Sequence, residues 1–295
     1  MTDSRVAGFL FALMAVTIWS GNFIIASGFV EDIPPITLAA LRWVTASLIF
    51  VPFAWRGMQR DMQSLLDNRW AIAGAALTGV TLFNTLVYVS ARTTDTVNMA
   101  LLGSTTPVFV VILARIFLKE RISPARAAGL AIAICGMLTI ATRGSLDTLL
   151  HLTFRVGDVW MLLAGFLWAI YSILVKRKPI TISRNSYLGA TFLLGAIPLI
   201  PAALIEQQFH VPWAVTPAIV GAVLYVGIGA SLAAFFLWNS AIMIIGPGTA
   251  ALFQYFIPVF SGIGAFFLLG KPITLVHGAG FVLIFGGVAL ATRPR

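Results

Sequence analysis

The sequence predicts an all-α integral membrane protein: ten transmembrane helices built from two inverted five-helix repeats. Three observations predict it. Of 295 residues, 59% are hydrophobic and only 10% are charged, where a water-soluble body carries about 25% charge. The apolar residues gather into ten runs of the roughly 20 residues a helix needs to cross hydrocarbon. The chain also repeats itself with a period near 150 residues. Composition thereby excludes a disordered chain, a disulfide scaffold and an ordinary cytosolic enzyme.

The first run, Val6–Phe29, is longer than the apolar stretch of a signal peptide, so it is expected to stay rather than be cleaved at Ala26-Ser27-Gly28. Thr37–Trp55 follows with Arg42 inside it, and then Trp70–Ser90 with Asn84 and Tyr88 four apart on one face. Asn98–Phe117 holds Pro107. Pro124–Ala141 carries a ridge of Ala125, Gly129 and Ala133 that suits close packing within the bundle more than a dimer contact. Val159–Val175 places Trp168 and Tyr171 three apart, and Tyr187–Ile205 comes next. Val215–Trp238 reads as ending on an interfacial Trp238-Asn239, like Trp55 and Trp70 elsewhere. Thr249–Leu269 holds Gln254, Tyr255 and Pro258, and Thr274–Ala291 completes the ten.

Net charge is +9. The lysines and arginines lie in short loops, where they orient helices, so the lipid bilayer and not nucleic acid is the expected partner. With the N-terminus inside, inner segments hold fourteen of them and outer loops four: Arg92, Arg143, Arg155 and Lys271. Both termini are therefore expected on the cytoplasmic side of the membrane, which an even helix count satisfies. Cys135 is the one cysteine, so no internal disulfide or thiolate cluster can form. His151, His210 and His277 are scattered in or beside loops. No metal site and no cofactor is expected.

Gly8, Leu13, Ala15 and Trp19 reappear as Gly157, Leu162, Ala164 and Trp168. Gly79, Ser90 and Ala91 reappear as Gly229, Ser240 and Ala241; Pro107-Val108-Phe109 as Pro258-Val259-Phe260; Gly129 and Gly136 as Gly280 and Gly287. The halves are 1–145 and 146–295. Five helices per half is an odd number, so the second half enters the membrane upside down. Inverted repeats of this kind are a transporter architecture, in which two related halves rock about one central site.

With Ala39-Ala40-Leu41-Arg42-Trp43 in the second run, and Pro107 followed by Leu118-Lys119-Glu120-Arg121-Ile122, the chain resembles an EamA-type transporter of the drug/metabolite transporter superfamily. The stretch Phe166-Leu167-Trp168-Ala169-Ile170-Tyr171 is similar more particularly to bacterial amino-acid exporters. That resemblance implies a place in a bacterial inner membrane and a small-molecule substrate, amino acids with broad specificity that includes aromatic and other neutral side chains. The family often ends its ninth helix on a Gly-Glu pair; here Gly270-Lys271-Pro272 stands there, which argues against symmetric acidic hinges.

Matched prolines in both halves mark Pro107 and Pro258 as hinge candidates. Each would free the carbonyl four residues back, of Gly103 and Gln254, where a water-filled cavity or protein must satisfy it. The alternative is a static kink that only shapes packing. Polar residues deep in hydrocarbon face the bundle interior, because an unpartnered amide there costs several kcal/mol. Asn84, Tyr88, Trp168, Tyr171 and Gln254 are the expected substrate-binding set, around a cavity between the halves near mid-membrane; Asn22, three past Trp19, is a further polar candidate. Interhelical hydrogen bonding is the competing role for the amides. Two readings stand for Arg42: snorkelling to the outer surface, or a fixed charge paired with a carbonyl or a substrate carboxylate.

No Asp or Glu falls in a run's interior, with Asp158 and Glu206 at ends, so proton or sodium coupling is not expected. No nucleotide-binding glycine loop is present. The leading reading is a non-enzymatic secondary exporter working by alternating access, as a monomer or weak homodimer. Its rivals are an exporter of other metabolites or drugs, a channel or scramblase, and a membrane enzyme.

Overall fold

The computed structural model describes residues 3–29, 33–210 and 213–293, without the side chains of 22–29. The readings that fall on the Asn22 side chain and on Arg295 lie outside the described residues. Ten membrane helices follow in order. They are α1 (Asp3–Phe29), α2 (Pro35–Arg60), α3 (Arg69–Thr93), α4 (Thr96–Phe117), α5 (Pro124–Ala141), α6 (Val156–Lys176), α7 (Arg184–Gln207), α8 (Pro217–Ile245), α9 (Pro247–Leu269) and α10 (Leu275–Ala291). Among the described residues nine are long and apolar enough to cross a bilayer, and α10 is a shorter apolar helix. Short helices Met62–Asp67 and Leu146–Leu150 join α2 to α3 and α5 to α6.

Local chemistry explains the starts. Prolines 35, 124, 217 and 247 stand in first turns, where a missing N–H costs nothing. Ser123, Ser183 and Thr216 accept from the amides of Arg126, Ser186 and Ile219, satisfying donors that each helix start leaves over. Most helices run past their apolar runs. The polar ends Arg60, Thr93, Lys176 and Gln207 remain helical, because their side chains reach water or headgroups while the backbone ladder continues.

Five spans are irregular among the described residues: α7 breaks at Ile197 and Pro198, between Ala196 and Leu199, and the other four form matched pairs. The prolines in α4 and α9 do not kink continuous helices, as the sequence had suggested. Helix ends at Gly103 and resumes at Thr106, with Pro107 in its first turn. In α9 a 3₁₀ stretch, Phe253–Phe256, precedes Ile257 and Pro258. In α3 and α8 the chain widens into π-helix over Ala76–Leu82 and Tyr225–Ala233. There the hydroxyls of Thr81 and Ser231, equivalent in the repeat, donate to carbonyls five residues back, on Ala76 and Val226. Both pieces at the far end of α4 and α9 stop alike: Lys119 and Gly270 take left-handed φ of 56° and 63°. The amides of Glu120 and Lys271 return to Ala114 and Ala265. Gly270 adopts this turn freely; Lys119 does so against its Cβ.

Packing between the halves is reciprocal. α1 lies on α8 as α6 lies on α3, and α2 lies on the π segment of α8 as α7 lies on that of α3. Equivalent residues meet each other directly: Trp19 and Trp168 have ring centroids 5.5 Å apart, and Tyr255 donates to the Ser104 carbonyl at 2.9 Å. On the outside α5 and α10 form a glycine seam. A Cβ on Gly136 would stand 2.8 Å from the Gly280 oxygen, and one on Gly287 2.6 Å from Ala133 N and Gly129 O. So the small ridge of α5 is covered within the chain. Side chains such as Leu48, Phe53, Phe267 and Val282 point outward exposed, as a lipid-facing surface requires.

Candidate functional site

The junction of the halves is an aromatic cluster. The perpendicular Trp19–Trp168 pair is flanked by Trp238, 5.1 Å from Trp19, and by Phe235, 5.4 Å from Trp168. Trp43 stacks edge-on to Phe235 at 4.8 Å, and Phe83 and Tyr171 cover Trp168 at 4.5 and 5.2 Å. Each such edge or tilted pair adds about 0.5–1.5 kcal/mol beyond area burial. The Trp19 indole donates to the Ala230 carbonyl at 2.9 Å. The indole N–H groups of Trp43, Trp168 and Trp238 and the Asn84 amide nitrogen are buried without a partner among the described residues. In a dry core every such donor is costly, so the cluster is short of acceptors.

Polar contacts thread this core. Within the second half Tyr171 and Asn239 share hydrogen bonds of 2.8 and 3.2 Å, and the Asn239 amide also holds the Phe235 carbonyl. Arg42 does not snorkel to the surface. It is 3% exposed, and its guanidinium donates to Ser231 Oγ at 2.6 Å, Tyr88 OH at 2.8 Å and Ala230 O at 3.2 Å. The π-helical winding of α8 accounts for this. A change from five-back to four-back bonding strands a backbone carbonyl, and Ala230 O takes two side-chain donors, Trp19 and Arg42.

Of the five residues expected to bind substrate, the structure gathers four in this region. Trp168 and Tyr171 belong to the cluster, Tyr88 is tied to Arg42, and Asn84 lies one turn before Tyr88 on α3. Gln254 lies apart in the 3₁₀ stretch of α9, its Oε1 unpartnered. No hydrogen bond or ring contact joins it to the other four among the described residues. Trp238 is no interfacial anchor. It is wholly buried, because α8 continues two turns further to Ile245; its equivalence to Tyr88 was the overlooked signal. Trp55 and Trp70 are exposed. A cavity of about 570 Å³ opens at the end rich in Lys and Arg, bounded by Gly57, Arg60, Lys178, Arg184, Ser240 and Met243. None of the five lines it.

Carboxylates clasp both ends. Where α2 ends, Asp61 accepts from the Ser183 amide at the start of α7. Where α7 ends, Glu206 accepts from the Ile36 and Thr37 amides at the start of α2. Each acid thus faces the positive end of the other helix. The Ser183 amide, with Arg60 and Ser186 beside it, holds the Asp61 carboxyl well below the usual carboxylate range. Burial pulls Lys178 down while Asp61 opposes it. Asp158 stands in the first turn of α6, at a helix end as its place in the sequence suggests, and is fully buried. It accepts from Thr94, from the Asn98 amide and from the Arg155 backbone. At the basic end Glu120, paired with Arg126 at 3.3 Å, lies against Gly246 and Gly248, where any Cβ would strike it. No group of three metal-ligating side chains occurs among the described residues.

Known proteins resemble this chain in sequence and, in one case, in fold. The EamA-like transporter family matches twice, over residues 6–142 and 155–293. An uncharacterized transporter of Archaeoglobus fulgidus is 30% identical, covering 96% of this chain and 97% of its own. A probable terminal-alkyne amino-acid exporter of Streptantibioticus cattleyicolor is 29% identical over 76% of this chain and 72% of its own. A probable amino-acid metabolite efflux pump of Salmonella typhimurium is 25% identical over 97% and 94%. A solved crystal structure superposes with a TM-score of 0.75 at 20% identity, covering 99% of this chain and 97% of the other, which supports the fold alone. With ten membrane helices in two matched halves and a family match in each, this chain is a membrane transporter, not an enzyme, and belongs to the EamA-like transporter family.

Proposed function

We propose that this transporter exports amino acids by alternating access between inverted halves, 1–145 and 146–295. One observation carries the reading: the aromatic cluster where the halves meet, with buried indole and amide N–H groups that lack acceptors. Ring faces accept varied side chains with little geometric demand, and the N–H groups suit the common oxygen atoms of amino acids. Asn84, Tyr88, Trp168 and Tyr171 bind substrate there, and Gln254 joins when α9 moves. Pro107 and Pro258 start the helical pieces that shift. Two relatives with amino-acid export in their names support the class. The basic end faces the cytoplasm, so the cavity beside Arg184 is where a cytoplasmic molecule enters. Loose walls imply weak binding, on the order of 1 mM.

The test is counterflow of a panel of labelled amino acids in proteoliposomes. Saturable, stereoselective exchange of several neutral amino acids is expected. Flux that neither saturates nor distinguishes enantiomers would make the protein a channel, and saturable flux of other metabolites alone would replace the substrate class.

A further inference from the structure

We propose that Arg42 recognises a carboxylate on the transported molecule, so that this carrier selects acids over their amides and amines. The proposal rests on the reading that substrate passes through the aromatic junction.

Arg42 lies seven residues into α2, roughly 10 Å from its start at 1.5 Å per residue. The guanidinium is a planar, delocalised cation. A buried charge is ordinarily matched by an opposite one, yet no carboxylate lies within 4.0 Å of this guanidinium among the described residues. Its three partners, Ser231 Oγ, Tyr88 OH and Ala230 O, are neutral. A guanidinium has five N–H donors, so two remain.

The surroundings deepen the same deficit. Trp43 is the next residue, with its ring centroid 5.5 Å from the Arg42 Cζ, and its indole N–H has no partner among the described residues. The unpartnered N–H of Asn84 is one turn from Tyr88. The Trp168 and Trp238 donors belong to the cluster around Phe235 that Trp43 also joins. A cationic or amine-only ligand would bring donors to donors. A carboxylate brings up to four lone pairs and one negative charge, and its plane matches the guanidinium fork. A phosphate ester would ask for more positive charge than a single arginine supplies.

The position also explains why recognition matters for movement. Arg42 and Tyr88 belong to the first half, Ser231 and Ala230 to the second. The guanidinium is therefore a tie between halves, and an arriving carboxylate competes with Ser231 and Ala230 for it.

The experiment measures ligand stabilisation of the purified protein against heat. One probe set is phenylalanine, phenylalaninamide, phenethylamine and 3-phenylpropionate; the second is the matching set built on leucine. In the wild-type protein the acids are expected to stabilise at concentrations at least tenfold below the amides and amines. Arg42→Gln should erase that gap and Arg42→Lys keep part of it. Equal stabilisation of the wild-type protein by acids, amides and amines would overturn the proposal, whether or not Arg42→Gln folds. So would a well-folded Arg42→Gln that keeps the tenfold preference. Stabilisation by 3-phenylpropionate and 4-methylpentanoate but by neither amino acid would remove the amino-acid reading and leave the role of Arg42 standing. Amino-acid counterflow together with equal stabilisation by acid and amide would do the reverse.

Discussion

Placing one methyl group in the α5–α10 seam tests the reciprocal packing that relates the halves. In Gly129→Ala the new Cβ would strike the Gly287 carbonyl oxygen, and it would stand 2.6 Å from Ala291 N and 2.8 Å from Ala291 Cβ. Ordinary Cβ contacts begin near 3.4 Å, so the helices must part by about 1 Å, with overpacking costs of about 1–3 kcal/mol. Alanine also favours helix over glycine by about 1 kcal/mol, which offsets part of that. Gly286 provides the control. It is exposed on α10, beside Gly287 in the chain, and a Cβ there meets nothing within 4 Å. Gly286→Ala therefore gains the helix term alone. The two variants should move thermal stability in opposite directions, Gly129→Ala down and Gly286→Ala level or up, measured by melting of detergent-purified protein followed through size-exclusion recovery. Equal melting, or a loss confined to Gly286→Ala, would refute the seam.

Trp168→Ala should reduce transport of bulky substrates more than of small ones, whereas Asn84→Ala should reduce all alike; rates per folded molecule check this, since a buried Trp→Ala change itself costs about 3–5 kcal/mol. Because the Asp61 carboxyl is held below its unfolded value, its stabilisation is complete above about pH 4 and fades as pH falls through the folded value. The melting gap between wild type and Asp61→Asn should thus stay constant from pH 8 to 5 and narrow only in stronger acid. An imposed pH gradient should drive no concentrative uptake into liposomes, since Asp158 is the buried acid of the opposite end and already accepts from Thr94, Asn98 and Arg155; accumulation against a gradient would contradict this. A reporter fused after Arg295 should be active on the cytoplasmic side, and periplasmic activity would reverse the assigned orientation.

Span number and repeat were legible because a helix that crosses hydrocarbon needs about 20 apolar residues in a row, and the paired Trp and Pro-Val-Phe fix the register. What escaped was set by partners distant in sequence. Depth along α2 alone permits Arg42 to reach the surface; burial follows from Ala230, a carbonyl exposed by a π turn nearly 190 residues later, and π winding leaves no signature in the residues of Ala76–Leu82. Trp238 was misjudged because hydropathy falls at Asn239, yet that amide is satisfied by Tyr171 and lets the helix continue. Prolines 107 and 258 announced the interruptions correctly. Sequence could not tell a bend from a fresh helix start, since a proline is at home in either.

The crossed carboxylate clasps of α2 and α7 have a mechanical consequence. The two helices form a beam pinned at each end by the same type of bond, a carboxylate on backbone amides. Each pin lies near a membrane face, where entering water can take over the bonds it releases. A net exchange of that sort amounts to roughly 1–3 kcal/mol for a charged acceptor, with one backbone amide at Asp61 and two at Glu206. On the export reading, tipping the beam releases the bonds at one end while those at the other hold. The clasps themselves supply no driving force, so on that reading the concentration of cargo on each side is expected to decide the direction of flow.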